Sequence, residues 1–247
     1  MQRMRIRYAK RGRLRFTSHR DVARAFERAL RRAHVPMAYS QGFSPRPKIS
    51  WIGAAPTGVA SEAEYVEIQL VREVDPAGLV AVLDEAMPPG LDVLEAVPAG
   101  TGSLAERVEA SRWRIEFDGV PPEQLKSAVD ALLAAERVDV ERLTKDGKRT
   151  IDARAAVVAA VVDAAPGESA PCGILDVVVR QTTPAVRPDD VLSALRVVAD
   201  LAPPVPAKAT RMAQGRLDDS GGLSDPLAQD RVAAPDRQPA APRSDAD

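Results

Sequence analysis

The feature that most constrains the fold is a change of hydrophobic period near the start of the chain. Residues 4–8, Met-Arg-Ile-Arg-Tyr, alternate apolar and basic side chains, as a strand does when one face is buried and the other wet. That alternation sets Arg5 and Arg7 on the outward face. Ser18-His19-Arg20-Asp21 then fits a capping box, in which the serine hydroxyl accepts from the N3 amide and the acid reaches back to the N-cap amide. From Val22 the apolar residues Phe26, Ala29, Leu30 and Ala33 follow a helical face, and Arg24, Arg28, Arg31 and Arg32 point away from it.

The same alternation of periods continues. Pro36, Gly42, Pro45 and Pro47 impose a long irregular loop, after which ISWIGA and EYVEIQLV form a hairpin across the turn-rich PTGVASEA. Residues 75–87 read as a helix with Asp75 as N-cap and Pro76 at N1, and LDVLEAV returns to strand. The order is βαββαβ, the ferredoxin-like arrangement, whose antiparallel sheet carries both helices on one face and leaves the other available for binding. A looser echo follows: strand WRIEF, helix PPEQLKSAVDALLAA, a hairpin around Asp146-Gly147, strand ILDVVVRQ, a helix from Arg187 to Asp200 and KATRMAQGR. AAVVAAVVDAA suits either period and is read as a strand. The expectation is an α+β protein of two tandem ferredoxin-like domains, 1–102 and 108–216, the second with extra strands. Such pairs commonly leave a cleft between them.

From Asp218 onward the text holds seven Asp, four Pro and three Arg with no aromatic residue. This composition buries too little apolar surface to offset an ordering cost of about 1–2 kcal/mol per residue, so 217–247 is expected to be a disordered tail.

Charge is as uneven as hydrophobicity. The first fifty residues hold fourteen Arg or Lys against Asp21 and Glu27, a net of +12 in a chain whose total is −1, so the other 197 carry −13. Crowded cations usually serve an anionic partner. The lone Cys172 closes no intramolecular disulfide and supplies no thiolate cluster, and no stretch approaches the ~18 apolar residues of a membrane helix. With no secretory apolar region at the N-terminus, the cytoplasm is the expected location, away from membranes. GxxxxGK[ST], GxGxxG and nucleophile-elbow motifs are absent, and the isolated histidines give no metal-ligand spacing.

The segment YSQGFSPRPKIS (39–50) combines Tyr39, Gln41, Phe43, Arg46 and Lys48 with two prolines that reduce its ordering cost. A braced loop of amide, aromatic and cationic groups suits recognition; the bland alternative is a proline-rich crossover packed on the sheet with Phe43 in the core. Seven of the nine aromatics fall in the first 65 residues beside the cations, a mixture that base stacking and phosphate neutralisation would use. His19, in the first helical turn beside Arg20, could contact a phosphate or serve as a weak candidate base. His34 reads as a dipole partner at the helix end. The candidate anion or RNA site is Arg5, Arg7, Arg13, Arg15, His19, Arg20, Arg24, Arg28, Gln41, Arg46 and Lys48.

At LRFTSHRD (14–21), FERALRR (26–32), YSQGFSPRPKIS and GVASEAEYVEIQL (58–70), the chain resembles the radical SAM-associated family of unknown function. DARAAV and the RP-DD-VL segment extend the likeness more weakly, to about residues 3–215. In that family the domain is often fused behind, or accompanies, a cobalamin-binding radical SAM enzyme. The resemblance thus implies an accessory role, with S-adenosylmethionine, a [4Fe–4S] cluster and cobalamin held by a partner in trans and no cofactor in this chain, which lacks CxxxCxxC. Two positions depart from the family pattern: Arg46 stands where His is frequent between the loop prolines, and Arg20 where an apolar residue is common. More distantly, the architecture is similar to that of the CRISPR-repeat endoribonucleases, which bind RNA with paired ferredoxin-like domains.

The leading expectation is therefore a noncatalytic RNA-binding partner of a radical SAM enzyme, supporting RNA modification. The alternatives are a protein-interaction module that docks on that enzyme without nucleic acid, and a metal-free endoribonuclease with His19 as base.

Overall fold

The period-two stretch forms β1 (Gln2–Lys10), with Met4, Ile6 and Tyr8 buried. The structure is a computed structural model that describes residues 1–144, 147–164 and 171–233. A 3-10 turn at Gly12–Phe16 leads to α1 (His19–Arg32), which Ser18 caps. The Asp21 amide donates to Ser18 Oγ at 3.3 Å, and the Ser18 hydroxyl donates to Asp21 Oδ2 at 2.7 Å, so the acid meets the hydroxyl rather than the N-cap amide. Val22, Ala25, Phe26, Ala29 and Leu30 form the buried stripe of α1. Its other residues include the arginines, all exposed. β2 (Ile49–Ile52), β3 (Ala60–Leu70), α2 (Pro76–Ala86) and β4 (Leu91–Pro98) complete this half.

The second half runs β5 (Ala110–Asp118), α3 (Pro122–Ala134), β6 (Asp139–Thr144), β7 (Gly147–Asp152), β8 (Val157–Ala164), β9 (Cys172–Arg180), α4 (Pro188–Ala199) and β10 (Lys208–Leu217). The ambiguous valine-rich stretch is strand β8, paired along β9. Among the described residues β6 and β7 pair only with each other, and Asp146 of their expected turn lies outside those residues. β11 (Leu223–Ser224) and α5 (Ala228–Ala233) follow.

The main sheet has nine strands, ordered β4-β1-β3-β10-β5-β9-β8, with β2 on β3 and β11 on β10. All its pairings are antiparallel except β3–β10, where Thr210 lies opposite Ala60 and Arg211 opposite Ser61. The last long strand therefore joins the two halves into one mixed α+β structure. α1 and α2 cover one face of the first half over Met4, Ile6, Tyr8, Val66, Ile68 and Leu70. α3 and α4 cover Trp113, Ile115, Phe117, Leu175, Val177 and Val179 in the second. No helix among the described residues is long and apolar enough to cross a membrane.

Two expectations are corrected in part. The sheet face opposite α1 and α2 is partly covered: Ile52, Ala63, Tyr65 and Val97 on that face pack with Leu104, Val108 and Leu227. The covering layer includes residues from the segment expected to be disordered, because 218–233 forms β11 and α5 and buries Leu227 and Asp230 completely or nearly so. An averaged composition hides this, since one leucine and one aspartate suffice when the surface below already offers an apolar patch and an uncompensated arginine. Residues 234–247 of the expected tail lie outside the described residues.

Candidate nucleic-acid interface

The β1 cations are held by internal acids. Arg5 is fully buried rather than outward and free: its guanidinium donates to both carboxylate oxygens of Asp230 at 2.8 Å, to Glu67 at 2.8 Å and to the Gly102 carbonyl at 2.5 Å. Arg107 reaches the same Asp230 at 2.8 Å, and the Gly100 amide donates to it at 2.9 Å. Arg3 also pairs with Glu67, Arg7 lies half-buried at 3.8 Å from Glu95, and Arg11 pairs with Glu62 and, at 2.7 Å, with Asp92. These acids belong to the −13 remainder, so much of the N-terminal charge is neutralised within the fold.

The cations of α1 and of the proline-rich loop are placed differently. α1 ends where His34 takes φ +51°, the left-handed conformation that lets the Val35 amide donate to Leu30 O at 3.0 Å; His34 thus terminates the helix rather than merely complementing its dipole. The chain turns back along β3, with the Ala38 amide donating to Gln69 O at 2.7 Å and the Lys48 amide to Ala38 O at 2.9 Å. Between these bonds, residues 39–47 project as a closed arm. Tyr39 bridges to Pro47, the Ser40 amide donates to Arg46 O at 2.9 Å, and the Arg46 amide donates to Ser40 Oγ at 3.0 Å.

A groove of about 580 Å³ lies between this arm and α1. Arg20, Arg24, Arg31 and Arg46 line it against a single acid, Glu27, with Tyr39 and the two arm prolines as its apolar wall. Among the described residues, only Arg24 of these cations has an acidic partner, exposed Asp21 at 3.4 Å, a contact that water screens almost fully. Phe43 projects from the arm fully exposed, and Tyr39 and Phe16 are also largely exposed, whereas Tyr8, Phe26 and Tyr65 are core residues. The bland alternative that placed Phe43 in the core does not hold. A concave cationic surface edged by exposed rings can neutralise a phosphate backbone and stack unpaired bases.

The groove unites Arg20, Arg24 and Arg46 of the expected site. Arg28 is exposed on α1 outside its lining, Gln41 is exposed in the 41–44 bend, and Lys48 lies on the other side of the arm beside Arg3 and Glu67. Arg13 and Arg15 sit in the 3-10 turn, where Arg15 lies 4.7 Å over the Phe16 ring with its Nε buried. His19 stands edge-on to Trp51 at 5.2 Å and faces a separate cleft between the two halves. Arg31 and Tyr39 were legible as a wet helix position and a loop aromatic. The residues facing His19 across that cleft come from β5, β9, β10 and the 181–189 segment leading into α4, and no local sequence signal brings them together.

Among the described residues no group of three or more His, Cys, Asp or Glu is placed to hold a metal ion. No curated protein matches the chain. One family model matches residues 3–188, and its description assigns no activity, substrate or radical SAM association. The match covers α1, the arm and the groove between them, so the chain belongs to the family described as uncharacterized protein conserved in bacteria (DUF2344).

Proposed function

We propose that this protein is a noncatalytic, cytoplasmic RNA-binding accessory of a radical SAM enzyme, and that it engages RNA in the groove between α1 and the 39–47 arm. The observation that carries the RNA reading is the convergence of Arg20, Arg24, Arg31 and Arg46 on one surface with Tyr39 and Phe43 exposed beside it. Each arginine can grip a phosphate with its forked donors, and the rings offer stacking surfaces that tolerate any base. In this reading the strand orders β4-β1-β3-β2 and β10-β5-β9-β8 are two ferredoxin-like units, the second enlarged by the β6–β7 hairpin.

The enzymatic half of the proposal rests on the sequence resemblance. S-adenosylmethionine, the iron–sulfur cluster and cobalamin would all reside on the partner, with this chain supplying RNA affinity and orientation. A tagged pull-down, with and without nuclease, tests both halves at once. The expected result is a radical SAM enzyme in the bound protein together with a restricted set of RNAs, the protein contact weakening after nuclease. Undiminished protein recovery after nuclease, with no RNA enrichment, would replace this reading by direct protein docking.

A further inference from the structure

The cleft faced by His19 is built more elaborately than the groove and lies apart from it. Its volume is about 570 Å³, within the range of about 300–1,000 Å³ that small-ligand sites occupy. One wall is the 53–57 loop, fixed from below by buried charges. Lys10 Nζ donates to Ala55 O at 3.4 Å and Pro56 O at 3.0 Å, while Glu64 Oε2 accepts from the Ala55 amide at 3.0 Å. The floor is Arg211, ion-paired to Glu64, 3.4 Å from Ser61 Oγ and stacked 5.2 Å from the Trp113 ring centroid. Burial lowers the Lys10 ammonium below the ordinary lysine value, Glu64 opposing the shift and Arg211 adding to it. Three buried charges under one cleft are a costly arrangement for a fold that needs only to close.

The facing wall is cationic and free. Arg180 ends β9 and Arg187 stands at the N-cap of α4, both exposed, and neither has an acidic partner among the described residues. Among the described residues, Asp189 is the only acid in the lining. Thr57 and Gln181 add exposed hydrogen-bonding groups, and Ala54, Pro56 and Ala185 supply apolar surface. Two arginines without counterions favour a phosphate over a carboxylate, because a phosphate offers enough oxygens for both forks. A bare phosphate would leave most of the volume and the whole apolar wall unused.

We infer that this cleft binds a nucleoside monophosphate unit, with its phosphate held by Arg180 and Arg187 and its base against the apolar surface of Ala54, Pro56 and Ala185. The unit can be a free nucleotide or one nucleotide of an RNA strand entering past His19, which neighbours Arg20 of the groove. The inference does not depend on groove binding.

Intrinsic tryptophan fluorescence and calorimetry on the full chain provide the test, with AMP, inorganic phosphate and a 5′-phosphorylated single-stranded RNA octamer as probes. The variants are Arg180→Ala with Arg187→Ala, and Arg24→Ala with Arg46→Ala. Saturable AMP binding, weakened tenfold or more by the first pair and unchanged by the second, assigns a free nucleotide. Octamer binding without AMP binding, again lost with the first pair, assigns a nucleotide within RNA. Both pairs lie on the surface, so unchanged melting temperatures are expected, and Arg187→Lys should recover part of the affinity. The inference is overturned if the first pair changes neither ligand, or if inorganic phosphate binds as tightly as AMP. Failure of the groove alone shows as octamer binding that the second pair leaves unaltered.

Discussion

Arg5 and Arg46 carry the same side chain within one basic segment and do opposite work. Arg5 is sealed under Asp230 with Arg107, and removing the shared acid would strand two buried guanidiniums. Breaking such a pair on one side typically costs about 3–5 kcal/mol, and Glu67 and the Gly102 carbonyl still serve Arg5, so Asp230→Ala should cost about 3 kcal/mol in denaturant unfolding. Burial alone would raise the Asp230 carboxyl, but Arg5, the Gly100 amide and Arg107 outweigh it and hold the group below the usual carboxylate range. A carboxyl depressed in the folded state adds stability above its unfolded value of about 3.9 and loses it as pH falls through the folded value. The wild type should therefore lose stability more steeply below about pH 4 than Asp230→Ala does, as pH-dependent melting would register. Period-two alternation identifies which face of β1 Arg5 occupies. It carries no information on what covers that face, because the acid arrives from 225 residues away.

At the scale of elements, local signals and tertiary partners separate cleanly. α1 is legible because its cap, apolar stripe and basic stripe all lie within fifteen residues, and the same holds for α2 with Asp75 and Pro76. The 39–47 arm is legible as a rigid, exposed loop because prolines and a glycine act on their own backbone. Its pairing alongside α1 is not, since that depends on the Ala38 and Lys48 bonds to β3 and on the turn at His34. α5 is the reverse case: six residues, too few to hold a helix alone, ordered because Leu227 and Asp230 fit a surface already made by β1, β3, β4 and the 100–108 segment. Composition averaged over thirty residues cannot register a contact made by two.

For the whole molecule, the insertion of β10 between β3 and β5 makes the sheet continuous across both halves, and Glu64 on β3 meets Arg211 on β10 at that seam. Glu64 also fixes the Ala55 amide and faces buried Lys10, so its loss leaves two cations without a counterion. Glu64→Ala should destabilise the protein by about 3–5 kcal/mol while far-ultraviolet circular dichroism keeps its shape, and urea titration measures the change. The βαββαβ order of the first half is readable from hydrophobic period, helix caps and Pro/Gly turns, all of them local, whereas the parallel β3–β10 contact joins residues about 150 apart and has no signature at either end.

With the β1 cations neutralised inside the fold and the groove cations exposed, the salt dependence of RNA binding tests the groove most directly. If Arg20, Arg24, Arg31 and Arg46 each contact a phosphate, the affinity for a single-stranded RNA should fall with a log–log salt slope near −2.8, at about −0.7 per contact. Arg24→Ala with Arg46→Ala should bring the slope to about −1.4 without changing the melting temperature. Binding that is absent, or whose slope is indifferent to that double substitution, would contradict the account.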